Sequence, residues 1–245
     1  MSTLKAACHL HSDWSYDGKW PLPKLADQFG RRGYRVLLMT EHDRGFTPAR
    51  LQKYREACTA ASSEMVLVVP GIEYSDAANT IHILVWGVST FLGEALPSAA
   101  LLSRVTAAGG IAVLAHPARK EAWKQYDPGW ARHLLGIEVW NRKTDGWAPA
   151  KTAAPLLAGT ALLPFVGMDF HTARQLFPLA TELEIPAPPT EATVLACLRS
   201  RRCGATALGR PIAEFLPPGW RRSGLRAVEF GRRTAARTLR KLKVV

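Results

Sequence analysis

Short apolar runs alternate along this chain with longer stretches in which apolar residues recur every three or four positions. That is the pattern of strands alternating with amphipathic helices. The runs at residues 5–10, 34–40, 65–69, 81–86, 111–115, 136–141, 162–168 and 203–209 predict strands. The stretches at 21–32, 47–58, 97–110 and 190–202 predict helices. Proline stands near the first turn of 21–32, threonine opens 47–58 and 190–202, and glycine closes 97–110. Residues 148–159 also read as helical, although Pro155 interrupts them. Such alternation implies a mostly parallel sheet. No internal repeat or long linker divides the chain, and the PAPPT stretch at 186–190 reads as a short loop.

Polar residues of one kind gather where these strands end. Six of the seven histidines fall in five motifs: His9-Leu10-His11, Glu41-His42-Asp43, Gly71-Ile72-Glu73 with His82 close behind, Ala115-His116-Pro117 and Met168-Asp169-Phe170-His171. His133 alone stands apart and reads as a surface or core residue. Ligands spread over so many strand ends favour a closed α/β barrel, in which the βα loops converge on one face, over an open sheet with a single crevice. Two positions apart on a strand, His9 and His11 point to the same side. Glu73 ends its strand with a carboxylate able to bridge two cations. Clustered imidazoles and carboxylates are ligands for divalent Mn, Fe or Zn rather than for copper or an iron–sulfur cluster.

Composition narrows the class. A chain of 245 residues that is 47% hydrophobic can bury one substantial core. It has no run of eighteen apolar residues, so no transmembrane helix is expected. The first candidate ligand comes at residue 9, which leaves no room for the apolar segment of a signal peptide. Cys8, Cys58, Cys197 and Cys203 lack a CxxC spacing and read as reduced thiols of a cytoplasmic protein. Cys8 alternates with His9 and is expected to face away from the metals, as a core thiol.

The motifs HLHSDWSYDG from His9, TEHD from Thr40, PGIEYS from Pro70, IHIL from Ile81, AHP from Ala115 and GMDFH from Gly167 together resemble the PHP (polymerase and histidinol phosphatase) family. The resemblance runs in order from about residue 5 to residue 172 and weakly to about 209. It implies a distorted (β/α)7 TIM-like barrel over residues 1–215, followed by a basic tail at 216–245. It also implies phosphoesterase activity with two or three divalent metal ions. By resemblance, one metal takes His9, His11, Glu73 and Asp169, a second takes Glu73, His82 and His116, and a third takes Asp17, His42 and His171. Glu73, Asp169 and His171 are the implied catalytic residues. The chain departs from the family in having Ala7 where many relatives have Asp, and Glu41 where Asp is commoner.

Adjacent divalent ions acidify a shared water and offset charge on phosphoryl oxygens, so no side-chain nucleophile is needed. Ser12 and Ser15 read as local hydrogen-bonding residues, and Asp43 either orients His42 or caps the turn after it. Arg44, Arg119 and Arg142 follow strand ends and are candidate phosphate-binding residues. Trp140 and Trp147 are candidates for stacking on a base, and Trp86 belongs to the core. Only 33 residues separate His82 from His116, so the long insertion common in the nucleotide-cleaving branch of the family is missing. The expected reaction is hydrolysis of a nucleotide or other small phosphomonoester. The alternatives are an exonuclease on short oligonucleotides and a non-catalytic barrel with a binding role.

Charge bears on the alternatives. The formal net charge is +12, yet residues 1–198 hold 19 Lys+Arg and 18 Asp+Glu while residues 199–245 hold 13 and 2. The basic tail is therefore a candidate contact for nucleic acid or an anionic membrane surface. Its last part, from Phe230 to Lys243, reads as a short basic helix with Leu239 and Leu242 on one side.

Overall fold

The computed structural model describes residues 2–242, and the side chains of residues 239–242, Leu239 and Leu242 among them, lie outside the described residues. Its strands are β1 (Ser2–Leu10), β2 (Val36–Met39), β3 (Glu41–His42), β4 (Leu67–Val69), β5 (Gly71–Ser75), β6 (His82–Trp86), β7 (Ile111–Leu114), β8 (Gly136–Asn141), β9 (Leu163–Gly167), β10 (Leu179–Ile185), β11 (Cys203–Ala207) and β12 (Arg210–Pro211). Its α-helices are α1 (Leu22–Gly30), α2 (Pro48–Ala61), α3 (Ser98–Ala107), α4 (Arg142–Asp145), α5 (Glu191–Arg199) and α6 (Trp220–Leu242).

Two six-stranded sheets form, in the orders β12-β11-β10-β1-β2-β4 and β3-β5-β6-β7-β8-β9. Neither closes on itself, which corrects the expectation of a single closed barrel. The chain crosses between the sheets at Thr40, which separates β2 from β3, and at Pro70, which separates β4 from β5. The sheets also touch where Leu10 bridges Phe170, and where the Met168 and Phe170 amides donate to the Cys8 and His9 carbonyls.

The pairing is less parallel than expected. β6 runs antiparallel to both β5 and β7. The link from Ser75 to His82 is too short for a helical crossover, so the chain can only turn back. β10, which the apolar runs do not predict, is antiparallel to β1. Its sign in the sequence is the alternation of Leu183 and Ile185 with Glu182 and Glu184, matched by alternating buried and exposed positions. Instead of a helix over 148–159, only a 3-10 turn forms at Ala154–Leu157, because Pro155 has no amide hydrogen to continue a helix.

Faces of both sheets meet in one apolar layer that includes Cys8, Val36, Leu38, Val69, Leu84, Trp86, Val113 and Phe165. Cys8 is thus a core thiol, as its alternation suggested. A second layer fills the space between the sheets and α1, α2 and α3, with Phe29, Tyr54, Leu101 and Phe170 among its buried members. Thr47 caps α2 by accepting a hydrogen bond from the Arg50 amide, and Thr190 does the same for α5 from Thr193.

α6 extends the expected short tail helix to 23 residues and is docked rather than free. The Glu229 carboxylate accepts from the Trp147 amide, Arg232 and Arg233, and Arg222 donates to the Leu216 and Ala150 carbonyls. Among the described residues no helix is long and apolar enough to cross a membrane.

Phe29 is fully buried, with its ring edge-on to Tyr34 and to Phe170, the residue between Asp169 and His171. Phe29→Ala is expected to cost about 3–5 kcal/mol through lost burial and the cavity left behind. Urea unfolding followed by circular dichroism checks this, and a loss below about 1 kcal/mol contradicts the packing described.

Candidate metal centre

The histidine motifs converge on the Glu73 carboxylate, which is 1% exposed. Parallel pairing of β3 with β5 sets His42 directly beside Glu73. Because β6 is antiparallel, its first residue, His82, comes to the same edge and sits near Glu73. His116 follows the end of β7, and Asp169 and His171 follow the end of β9. His9 and His11 reach the cluster differently from simple alternation. The β1–β2 register slips between Cys8 and Leu10, with His9 in a left-handed conformation (φ 62°), and His11 lies just past the strand. Asp17, on the loop after β1, closes the outer side.

The contacts are short. Glu73 Oε1 lies 2.7 Å from His82 Nδ1, 2.9 Å from His116 Nε2 and 3.4 Å from His9 Nε2. Glu73 Oε2 lies 3.0 Å from His42 Nδ1 and 3.4 Å from His11 Nε2. Asp169 Oδ1 is 3.8 Å from His9 Nε2 and 3.7 Å from His11 Nε2. Asp17 is 3.4 Å from His42 and 3.0 Å from His171. All nine residues named as ligands from sequence are therefore brought together. Three sets of ligand atoms fall within 4.8 Å of one another: His9, Glu73 and His116; His9, His11 and Asp169; and His11, His42 and His171.

Whether these residues suit a metal is tested by atoms that the protein leaves unpaired. His9 Nε2, His11 Nε2, His42 Nε2, His116 Nδ1, Asp17 Oδ1 and Glu73 Oε2 are buried without a hydrogen-bond partner. Buried polar atoms are nearly always paired, since an orphan costs about 1–3 kcal/mol. Six orphans in one cluster of imidazole and carboxylate groups fit divalent cations of the Mn, Fe or Zn type.

A ring of further groups holds the rings in place. The His9 Nδ1–H donates to Glu138 Oε1 at 2.8 Å, which leaves Nε2 facing Glu73. Glu138 Oε2 accepts from the His116 amide at 2.8 Å and from Asn141 Nδ2 at 3.0 Å. On the other side, Glu41 accepts from the Ser12 amide and from the Ser12 and Ser15 hydroxyls, and Ser15 Oγ lies 3.2 Å from His11 Nδ1. Ser12 and Ser15 are thus local hydrogen-bonding residues, as expected. Asp43 accepts from the Ser75 amide and hydroxyl and ties the loop after β3 to β5. A Cβ at Gly167 would overlap the Glu138 carboxylate, so only glycine allows this neighbour. His9, His116 and Asp169 all have positive φ, a costly conformation for side-chain-bearing residues that clusters at functional sites.

Proton affinities follow from this packing. Burial would depress the His9 imidazole, but Glu138, Glu73 and Asp169 overcome it and hold it well above the ordinary histidine range. Burial also opposes charge on His42, yet the Asp17 and Glu73 carboxylates beside it raise it to about 10. Burial and then His42 keep His11 well below the usual range. Burial would raise the Glu73 carboxyl, but His9 and His82 hold it well below the usual range, and His9 and Lys143 lower Asp169 against the same penalty.

A cavity of about 370 Å³ opens over the centre, with Glu73, His82, His116 and Asp169 in its walls. Arg44 and Arg119 line it. Arg142 does not: its guanidinium donates to the Arg174 carbonyl and lies over Trp147 and Phe177. The neighbour Lys143 faces the cavity instead, with Nζ 3.3 Å from Asp169 and 3.0 Å from His171. Trp86 and Trp140 are core residues, and Trp147 is half-buried beneath Arg142 and Arg232. His133 bonds Thr106 away from the cluster. Sequence reasoning missed Lys143 and Glu138. Glu138 lies inside β8, whose apolar pattern drew attention away from it, and Lys143 lies two residues past the end of that strand.

No protein-family model matches the chain, and no curated protein matches it. Solved structures do. A two-domain Bacteroides vulgatus protein containing a predicted PHP-like metal-dependent phosphoesterase aligns with a TM-score of 0.65 and 19% identity, over 84% of this chain and 65% of that one. PsfC from Pseudomonas syringae aligns with a TM-score of 0.64 and 19% identity, over 85% of this chain and 93% of that one. The lesion-specific endonuclease EndoQ from Pyrococcus furiosus aligns with a TM-score of 0.59 and 13% identity, over 81% of this chain and 56% of that one. The chain thus spans less than two thirds of the Bacteroides and Pyrococcus proteins. Over more than four fifths of its length this chain thus shares its fold with these proteins, among them the one containing a predicted PHP-like metal-dependent phosphoesterase.

Proposed function

We propose that this protein is a metal-dependent phosphoesterase that hydrolyses a nucleotide or other small phosphomonoester at a site holding two or three divalent ions. The observation that carries the reading is the set of six unpaired buried imidazole and carboxylate atoms in the Glu73 cluster, beneath a cavity that Arg44, Arg119 and Lys143 line together with carboxylates. His9, His11, Glu73 and Asp169 would hold one ion, Glu73, His82 and His116 a second, and Asp17, His42 and His171 a third. The strand circuit β1, β2/β3, β4/β5, β6, β7, β8, β9, joined back to β1 at Phe170, supports reading the two sheets as a distorted, interrupted barrel around this site.

Bound ions would supply Lewis acidity, activating water for attack and offsetting charge on the phosphoryl oxygens. The protein's own groups do the remainder. Arg44, Arg119 and Lys143 offer N–H donors to phosphate oxygens from the cavity wall. Arg119 is held there by its bond to the Asn79 carbonyl at 2.9 Å. Asp169, on the cavity wall, can take up the proton lost by the attacking water, and His171 beside it can share that proton. Glu138 and the Glu41–Ser15 pair act at one remove, fixing the ring nitrogens that face inward.

Three outcomes test this. Glu73→Gln is expected to lower bound metal and reduce phosphate release from p-nitrophenyl phosphate in Mn by at least about a thousandfold, some 4 kcal/mol of barrier. Metal analysis and a phosphate assay check both, and wild-type turnover in that variant refutes the assignment. Glu138→Gln is expected to weaken metal binding or turnover by about 10–100-fold while leaving the fold intact, the usual cost of losing a ligand's supporting carboxylate. Isothermal titration with Mn decides it, with an unchanged affinity as the contrary result.

The third outcome concerns pH. An unfolded imidazole titrates near 6.5 while His42 is raised to about 10, so its contribution to stability is present below about 6.5 and is lost as pH rises through 10. The chelated protein is therefore expected to unfold at lower urea at pH 9.5 than at pH 6.5. Added Mn should remove the difference, because its ligands must be deprotonated to bind. A midpoint that rises with pH without metal would be inconsistent with the charged His42–Glu73–Asp17 arrangement.

A further inference from the structure

A second cavity, a groove of about 480 Å³, runs between α6 and the 144–152 segment. Arg226 and Arg233 of α6 line it together with Lys151 and the ring of Phe230, which is 74% exposed. Two carboxylates also reach it. Glu229 is neutralised by Arg232 and Arg233, and Asp145 is pushed up to about 7 by burial. Among the described residues Arg226 and Lys151 have no hydrogen-bond or ion-pair partner. The Asp145 Oδ1 and Thr152 Oγ1 atoms on the groove wall are unpaired as well.

The groove adjoins the cavity over the metal centre. Two chain segments line both: Arg119 and Lys143 face the metal-side cavity, and their neighbours Ala118 and Thr144 face the groove. The tail's charge is also directed. Gly224, Ala227, Gly231 and Ala235 recur at helical spacing on the outward side of α6 and carry no charge, while Arg226 and Arg233 lie on the flank beside the groove.

We propose that this groove is a subsite for phosphates beyond the one being hydrolysed, so that the substrate is a single-stranded oligonucleotide entered from one end. This rests on the phosphoesterase reading above and narrows its phosphomonoester to the terminal phosphate of an oligonucleotide. Successive phosphates lie along Lys143, Lys151 and Arg226, and a base stacks on Phe230, whose open face suits any base. The scissile phosphate remains between Arg119 and Lys143.

The test is binding of fluorescein-labelled, hydrolysis-resistant phosphorothioate oligo-dT to the full chain, measured by anisotropy at several salt concentrations. Wild-type affinity is expected to rise at least about tenfold from dinucleotide to hexanucleotide. In the Arg226→Ala, Lys151→Ala double variant that gain is lost, and the slope of log K against log salt becomes shallower by about 1.4, from two phosphate contacts at about 0.7 each. Phe230→Ala, which removes no charge, should weaken the hexanucleotide without changing the slope. Equal length dependence and slope in wild type and double variant overturns the proposal. So does binding to phosphatidylserine vesicles without any preference for longer oligonucleotides. A chain that binds the hexanucleotide as described but releases no phosphate from any ester keeps the groove and loses the phosphoesterase assignment.

Discussion

A carboxylate held out of water at Glu73 is the constraint around which the rest of the molecule is arranged. Taking such a group into a protein interior costs several kcal/mol unless cations and hydrogen bonds meet it there. Here the answer is five imidazoles from four separate stretches of chain, His9 and His11, His42, His82 and His116, each within 3.4 Å of its oxygens. No local segment could supply them. They meet because β3 pairs with β5 in register, because β6 turns back antiparallel, and because the ends of β1 and β9 are bonded to each other across the two sheets.

Around that centre the protein accepts local cost. His9, His116 and Asp169 adopt backbone conformations that side-chain-bearing residues avoid, and their own neighbours keep them there. Glu138 shows how: one oxygen receives the His9 ring, the other the His116 amide, and Gly167 leaves the space it occupies. The apolar layer shared by the two sheets, with Cys8 and Ala115 next in sequence to His9 and His116, gives these groups a rigid floor. A site built in this way is pre-organised, and that matters for chemistry dominated by positioning and electrostatics.

The basic C-terminal region obeys the same rule of paired burial. Glu229 is 6% exposed; it accepts from the Trp147 amide of the loop after β8 and so anchors α6 there, while Arg232 and Arg233 of its own helix balance its charge. That loop also carries Lys143 to the metal-side cavity. The helix that holds most of the chain's excess charge is thus coupled, through one short segment, to the cations over the centre. The charge asymmetry visible along the chain becomes directional only through this docking.

Much of this could be read before any fold was known. Most strand positions followed from apolar runs, the core role of Cys8 from alternation, and the candidate ligands from the histidine and carboxylate motifs together with the family they resemble. These are local properties, set by side-chain chemistry and by the two-residue period of extended chain. β10 escaped because its alternation is short and lies between prolines, and the 148–159 helix failed because one missing amide hydrogen outweighs a favourable composition. Which way β6 runs, where the chain leaves one sheet for the other, that Lys143 rather than Arg142 enters the cavity, and that Glu138 stands behind His9 were decided only by tertiary structure. Each depends on what lies opposite in space, through pairing, close packing and the demand that every buried charge find a partner, and none of these acts between neighbours in sequence.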